Sequence, residues 1–165
     1  MNNERVRKLT LTAMFLAMTC VSTMFLSVPN GTGYTNLGDC FVLLGAFFLG
    51  PFYGAAAGGI GSALADLLAG YGYYIPGTLL IKGLVAVIAA VCVRRAQKHP
   101  TLGAALGAVI GELWMVLGYW LYKSLILGNP VGALESVPKN LIQAGAGVVL
   151  SLVMFVTLKK IRKGN

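Results

Sequence analysis

The 165-residue chain is 57% hydrophobic and 11% charged, with a mean hydropathy of +0.78, against roughly 25% charged residues in an average soluble domain. That composition excludes a soluble globular domain and predicts an integral membrane protein. The net charge of +8 does not point to nucleic acid, because the basic residues stand at the ends of apolar runs and form no stripe with interleaved aromatics.

The chain opens on "MNNERVRKLTLTAMFLAMTC", a basic start followed by an apolar run. A secretory signal peptide begins the same way, but the run is long for one and no small-x-small cleavage site before a soluble domain follows. It is read as a first span over 8–27. Next comes "SVPNGTGYTNLGD", residues 27–39, long for a connector and rich in glycine, asparagine and threonine. It reads either as a lid, with Tyr34 and Asn36 closing over a ligand, or as a plain connector.

Breaks at Gly50-Pro51, Gly70–Pro76, Arg94–Pro100, Gly128–Pro130 and Lys159 onward predict further spans over 38–50, 52–70, 76–94, 101–126 and 134–158. The second has 13 residues, about 20 Å at helical rise and short of the roughly 30 Å hydrocarbon core, so it is tilted into protein or re-entrant. The expected architecture is an all-α, six-helix integral membrane protein, with residues 1–165 as a single transmembrane domain.

Lysine and arginine bias sets the orientation. Arg5, Arg7 and Lys8, then Arg94, Arg95 and Lys98, then Lys159, Lys160, Arg162 and Lys163 fall on one side if the chain crosses six times. That side is cytoplasmic, and both termini lie on it.

The remaining polar residues gather in the outer half. Lys82 lies about 9 Å inside the outer end of the fourth span, Asp66 near the outer end of the third, and Asp39 at the start of the second. Glu112 falls near the middle of the fifth, while Lys139, Asn140 and Gln143 occupy the outer part of the sixth. An ionisable group at such depth is a functional-site candidate unless it merely pairs. Lys82 with Asp66 could form a helix-locking ion pair, and Asp39, Lys123 and Glu135 stand near enough to the boundary to be solvated. Glu112, Met115, Tyr119 and Tyr122 share one helical face, and Asn140 and Gln143 share another. Such faces suit a small polar ligand, since amide, carboxylate and ammonium groups direct hydrogen bonds while aromatic rings stack. Tyr71, Tyr73 and Tyr74 read equally as site residues or as an interfacial aromatic belt.

Small residues recur at four-residue spacing, Ala13 with Ala17 in the first span and Gly54 with Gly58 in the third, an arrangement that permits close helix approach. The glycines are expected to pack internally; the alanines suit either internal packing or another protein. "GGIGSA" is no nucleotide loop, because it lacks the lysine and the strand-turn-helix context. Cys20, Cys40 and Cys92 have no metal-ligand spacing and read as buried apolar residues, His99 has no metal-ligand partner nearby, and no nucleophile with an adjacent base is visible. An enzyme is not expected, nor a metal or cofactor.

The run "NLGDCFVLLGAFFLGPFYGAAAGGIGSALADLLAGYGYYIPGTLLIKGL", residues 36–84, with the alanine pair and the six-span plan, resembles the riboflavin-transporter-like group of substrate-binding S components of energy-coupling factor (ECF) vitamin transporters. The resemblance implies a subunit of a bacterial or archaeal cell membrane that captures a small vitamin at its outer face. Transport would be driven by a transmembrane coupling protein and two ATP-binding cassette ATPases. Ala13 and Ala17 would contact the coupling protein, residues 28–37 would act as a gate, and the subunit would topple in the membrane to deliver its ligand. Asn36, Asp39, Asp66, Tyr74, Lys82, Glu112, Tyr119, Lys139, Asn140 and Gln143 are the expected substrate residues, with Lys82 either donating to the ligand or holding Asp66 or Glu112. Among the ligands of the group a vitamin B6 compound is favoured, with hydroxymethylpyrimidine and riboflavin next. Two other classes fit the same residues: a self-sufficient transporter coupled to a proton on Asp66 or Glu112, and a structural membrane subunit whose polar half is packing alone.

Overall fold

In hydrocarbon every backbone polar group must be satisfied internally, and helices do this within one segment. Each apolar run accordingly forms a helical rod. The structure, a computed structural model, describes residues 3–29 and 34–164, with side chains placed as far as Ile161. Helix α1 (Asn3–Phe25) leads into a short antiparallel hairpin, β1 (Ser27–Pro29) and β2 (Tyr34–Asn36), with Ser27 opposite Asn36 and Pro29 opposite Tyr34. Then follow α2 (Asp39–Leu49), a third rod made of α3 (Pro51–Ala55), a π turn (Ala56–Ile60) and α4 (Gly61–Leu68), and a 3-10 turn (Gly72–Tyr74). The chain closes with α5 (Ile75–Arg95), α6 (Pro100–Leu121) running into a π turn (Tyr122–Ile126), and α7 (Pro130–Gly164).

Among the described residues, four stretches are long and apolar enough to cross a membrane: Asn3–Phe25, Gly72–Arg95, Pro100–Ile126 and Pro130–Ile161. The third rod is divided by its π turn. Helix α2, 11 residues and about 16 Å long, is an interior helix: only Phe41, Phe48 and Leu49 of it escape full burial, and it packs against α1, α3, α5 and α7. A helix enclosed by protein need not match the hydrocarbon thickness, which explains its length. The last helix extends beyond the expected span at both ends. Helix α7 starts at Pro130 and carries Pro138 inside it, since a transmembrane helix tolerates the lost hydrogen bond when neighbours support it.

Glycines determine how closely the rods approach. A Cβ on Gly54 would lie 2.7 Å from Ala46 Cα and one on Gly58 2.7 Å from Val42 Cγ1, both on α2. Further along the rod, Gly59 meets the Leu79 carbonyl oxygen of α5 at 2.9 Å by the same measure, and Gly61 meets that of Leu16 on α1 at 2.7 Å. The π turn adds a residue per turn, so one glycine-rich string faces three helices in succession. The expected internal packing of Gly54 and Gly58 holds. A second stripe that the sequence reading missed, Gly103, Gly107 and Gly111, seats α6 against α5, where Gly107 faces the Ala89 carbonyl. Ala13 and Ala17 instead lie exposed on α1, beside exposed Leu9 and Met14.

Candidate functional site

The hairpin end of the bundle holds one polar cavity. Thr23 reaches it from α1, Ser62 and Asp66 from α4, Thr78 and Lys82 from α5, Tyr119 and Lys123 from α6 and the turn after it, and Asn140 and Gln143 from α7. Tyr74 closes one side, while Tyr34 and Asn36 of β2 lie across the mouth. Every one of these side chains carries a hydrogen-bonding group on a partly apolar body.

The hairpin is tied down at two points. The Tyr34 hydroxyl donates to Asp66 Oδ1, and the Asn36 backbone N–H donates to Gln143 Oε1 at 2.9 Å. Burial, and then the neighbouring Asp66 carboxylate, push the Tyr34 phenol well above its ordinary range, so it remains a neutral donor. Tyr71 packs on it with ring centroids 5.1 Å apart. These contacts place Tyr34 and Asn36 over the cavity, as a lid requires; residues 30–33 of the expected gate lie outside the described residues.

Beneath the mouth, Lys82 Nζ donates to Asp39 Oδ1, and Gln143 Nε2 donates to Asp39 Oδ2 at 2.6 Å. Lys82 also sits over the Tyr119 ring, 5.6 Å from its centroid, and the Tyr119 and Thr78 hydroxyls are 3.0 Å apart. The Lys82 partner is therefore Asp39 and not Asp66. Asp66 lies one side over, taken up by Tyr34, and its Oδ2 meets no hydrogen-bond donor among the described residues.

Seven of the ten expected substrate residues line the cavity: Asn36, Asp66, Tyr74, Lys82, Tyr119, Asn140 and Gln143. Asp39 and Glu112 are buried but do not line it, and half-buried Lys139 does not line it either. Asp39, whose place near the span boundary leaves it open to solvation on sequence grounds, is 1% exposed, because the α2 N-terminus is drawn under the hairpin. Lys123 is likewise buried, with Nζ 5.7 Å from the Tyr74 ring centroid, whereas Glu135 is exposed. Of the three clustered tyrosines, Tyr74 faces the site, Tyr73 faces outward and Tyr71 backs the hairpin. Sequence reasoning left Thr23, Ser62, Thr78 and Lys123 out of the expected substrate residues. A signal existed for three of them: Ser62 stands four residues before Asp66, Thr78 four before Lys82, and Lys123 four after Tyr119, each on the same helical face as a residue already chosen.

A helical bundle around a polar-lined cavity, with a hairpin across its mouth, has the geometry of a membrane-embedded small-molecule-binding protein. The chain belongs to the S components of ECF-type riboflavin transporters, whose family model matches residues 3–160. It is thus a multi-pass membrane protein and a substrate-binding subunit of vitamin-transporter type. It is 36% identical over 142 residues to an uncharacterised protein from a gap 3′ region of Pyrococcus woesei, covering 85% of this chain and 93% of that one. Over 157 residues it is 29% identical to the thiamine precursor transporter HmpT of Lactococcus lactis subsp. cremoris (strain MG1363), covering 93% and 89%. A solved S component of a bacterial ECF transporter superposes with a TM-score of 0.73 at 18% identity, covering 96% of this chain and 99% of that one, and shares the fold.

Proposed function

We propose that the chain captures a single-ring nitrogen heteroaromatic bearing hydroxymethyl groups, a vitamin B6 compound or hydroxymethylpyrimidine, at the outer face of the membrane. The hydrogen-bonding group on every side chain that lines the cavity supports this reading. Asp66 Oδ2 is open to a ring N–H, an amine or a hydroxyl of the ligand; Asn140 offers an amide, Lys82 an ammonium, and Tyr74 and Tyr119 offer ring faces. Riboflavin stands behind them, because its fused rings need more apolar room. The sequence alone favours the B6 compound; the kinship with a thiamine precursor transporter raises hydroxymethylpyrimidine, the pyrimidine half of thiamine, to equal standing.

In this reading the hairpin is the gate, both termini are cytoplasmic, and the subunit works with a coupling protein and two ATP-binding cassette ATPases. Ala13 and Ala17, exposed on α1, form the docking stripe for the coupling protein. Delivery is by toppling, which a cavity confined to one end of the bundle accommodates.

Thermal unfolding of the purified chain alone, with B6 vitamers, hydroxymethylpyrimidine, thiamine and riboflavin, tests the substrate. One of the single-ring compounds at 100 times its Kd stabilises the protein by about 2.7 kcal/mol. Tightest stabilisation by riboflavin rejects the reading.

A further inference from the structure

Along the seam between the third rod and α5 runs an apolar groove of about 580 Å3, within the range of roughly 300–1,000 Å3 for small-molecule sites. It shares no residue with the polar cavity, and every side chain that lines it is apolar. Side-chain size explains its shape. On the rod, Ala55 and Ala56 sit between Phe52, 79% exposed, and exposed Ile60. On α5, Gly83 stands four residues from both Leu79 and Val87, and a Cβ there would meet only the Ala55 carbonyl oxygen, at 4.0 Å. Small residues thus form the floor and large ones the rims.

Apolar surface on a membrane helix is ordinary; the charge at the end of this groove is what distinguishes it. A Cβ on Gly50 would lie 2.6 Å from Arg94 Nη2, so the guanidinium rests on the residue beside Pro51, where the groove begins. Arg94 and Arg95 end the apolar span of α5, and exposed Lys98 follows. Among the described residues Arg94 has no ion-pair partner. Of the chain's five acidic residues only Glu4 belongs to this end of the bundle, and Arg5, Arg7 and Lys8 follow it. From Pro51 to Ile60 the rod rises about 14 Å, close to half of the roughly 30 Å hydrocarbon core, which is the depth of one leaflet's acyl chains.

We propose that the groove is a binding site for one anionic phospholipid, with its phosphate on the Arg94 guanidinium and an acyl chain lying along the seam over Ala55, Ala56 and Gly83. A guanidinium holds a phosphate by two parallel hydrogen bonds, and basic pockets between transmembrane helices take anionic head groups. A zwitterionic lipid brings its own ammonium group and gains less from Arg94. The site is independent of which vitamin the polar cavity takes.

Native mass spectrometry of the purified full chain in detergent, titrated with phosphatidylglycerol or phosphatidylcholine of identical acyl chains, tests the proposal. Wild type is expected to retain one phosphatidylglycerol at least about fivefold more tightly than phosphatidylcholine, the preference one arginine near a lipid surface confers. R94Q keeps the groove and is expected to bind both lipids equally. K160Q removes the same charge from the exposed basic end of α7 and should leave the preference intact. A56W fills the floor and should lose the retained lipid whatever its head group; if it fails to fold, the comparison of R94Q with K160Q decides. Equal affinity of wild type for the two lipids, or an undiminished preference in R94Q, overturns the site. So does an equal loss in K160Q, which would make the preference a property of the whole basic surface. A dimer of the chain that A56W abolishes would give the groove to a second copy and likewise overturn it.

Discussion

Lys82 and Asp39, 43 residues apart in the chain, form a buried ion pair in which the lysine is 2% and the aspartate 1% exposed. Gln143 extends the pair to the hairpin, since its amide donates to Asp39 and accepts from the Asn36 N–H. The cavity floor and its cover are thus one hydrogen-bonded unit, contributed by α2, α5, α7 and β2.

Removing one member of that unit strands the other. Lys82→Ala is expected to destabilise the protein by about 3–5 kcal/mol, because Asp39 is left as an uncompensated buried charge, and to weaken substrate binding at least about tenfold, or roughly 1.4 kcal/mol. Combining Lys82→Met with Asp39→Asn removes both charges and should restore much of the melting temperature without restoring affinity. Calorimetric titration and thermal unfolding of both variants check this; full affinity in Lys82→Ala would remove Lys82 from the site.

The hairpin's hold on Asp66 is one hydroxyl. Tyr34→Phe keeps the ring against Tyr71 and deletes only the hydrogen bond to the carboxylate. A hydrogen bond to a charged group is worth about 1.5–3 kcal/mol, so substrate affinity should fall by one to two orders of magnitude. Stopped-flow measurements should assign most of the loss to faster dissociation if β2 is the cover.

Glycine positions separate packing from composition. Gly61→Val pushes a side chain into the Leu16 carbonyl and Thr19, and such overpacking costs about 1–3 kcal/mol. Gly145→Ala, with nothing within 4 Å of the new methyl, should be neutral or stabilise by about 0.5–1 kcal/mol through helix propensity. Melting temperatures of the two variants should move in opposite directions or differ by several degrees.

On the proposed docking stripe, Ala17→Trp adds bulk to an exposed position of α1 that does not line the cavity. Substrate affinity of the isolated subunit should be unchanged, whereas co-purification with the coupling protein and uptake in reconstituted vesicles should be lost. Uptake at the wild-type rate would place the partner on another face.

The six apolar segments were legible because hydropathy is a property of consecutive residues, and α1, α5 and α6 follow it closely. Legible too was the clustering of polar residues toward one end, and with it seven cavity residues. The choice of partners was not. Sequence reasoning offered Asp66 or Glu112 as the companion of Lys82; α2 being interior instead brings Asp39 under the lysine, while Tyr34 claims Asp66. Lys123 shows the same limit, since its place near a span end does not reveal that Tyr74 and the turn after α6 enclose it.

The sequence by itself determined that this chain lives in a membrane, how its helices are divided and which residues are too polar to face lipid, since each is settled by local composition against the cost of hydrocarbon burial. Only the tertiary structure decided which charges meet. That depends on how deeply the helices interlock, and the interlocking follows from where Gly54, Gly58, Gly61 and Gly107 let backbones touch.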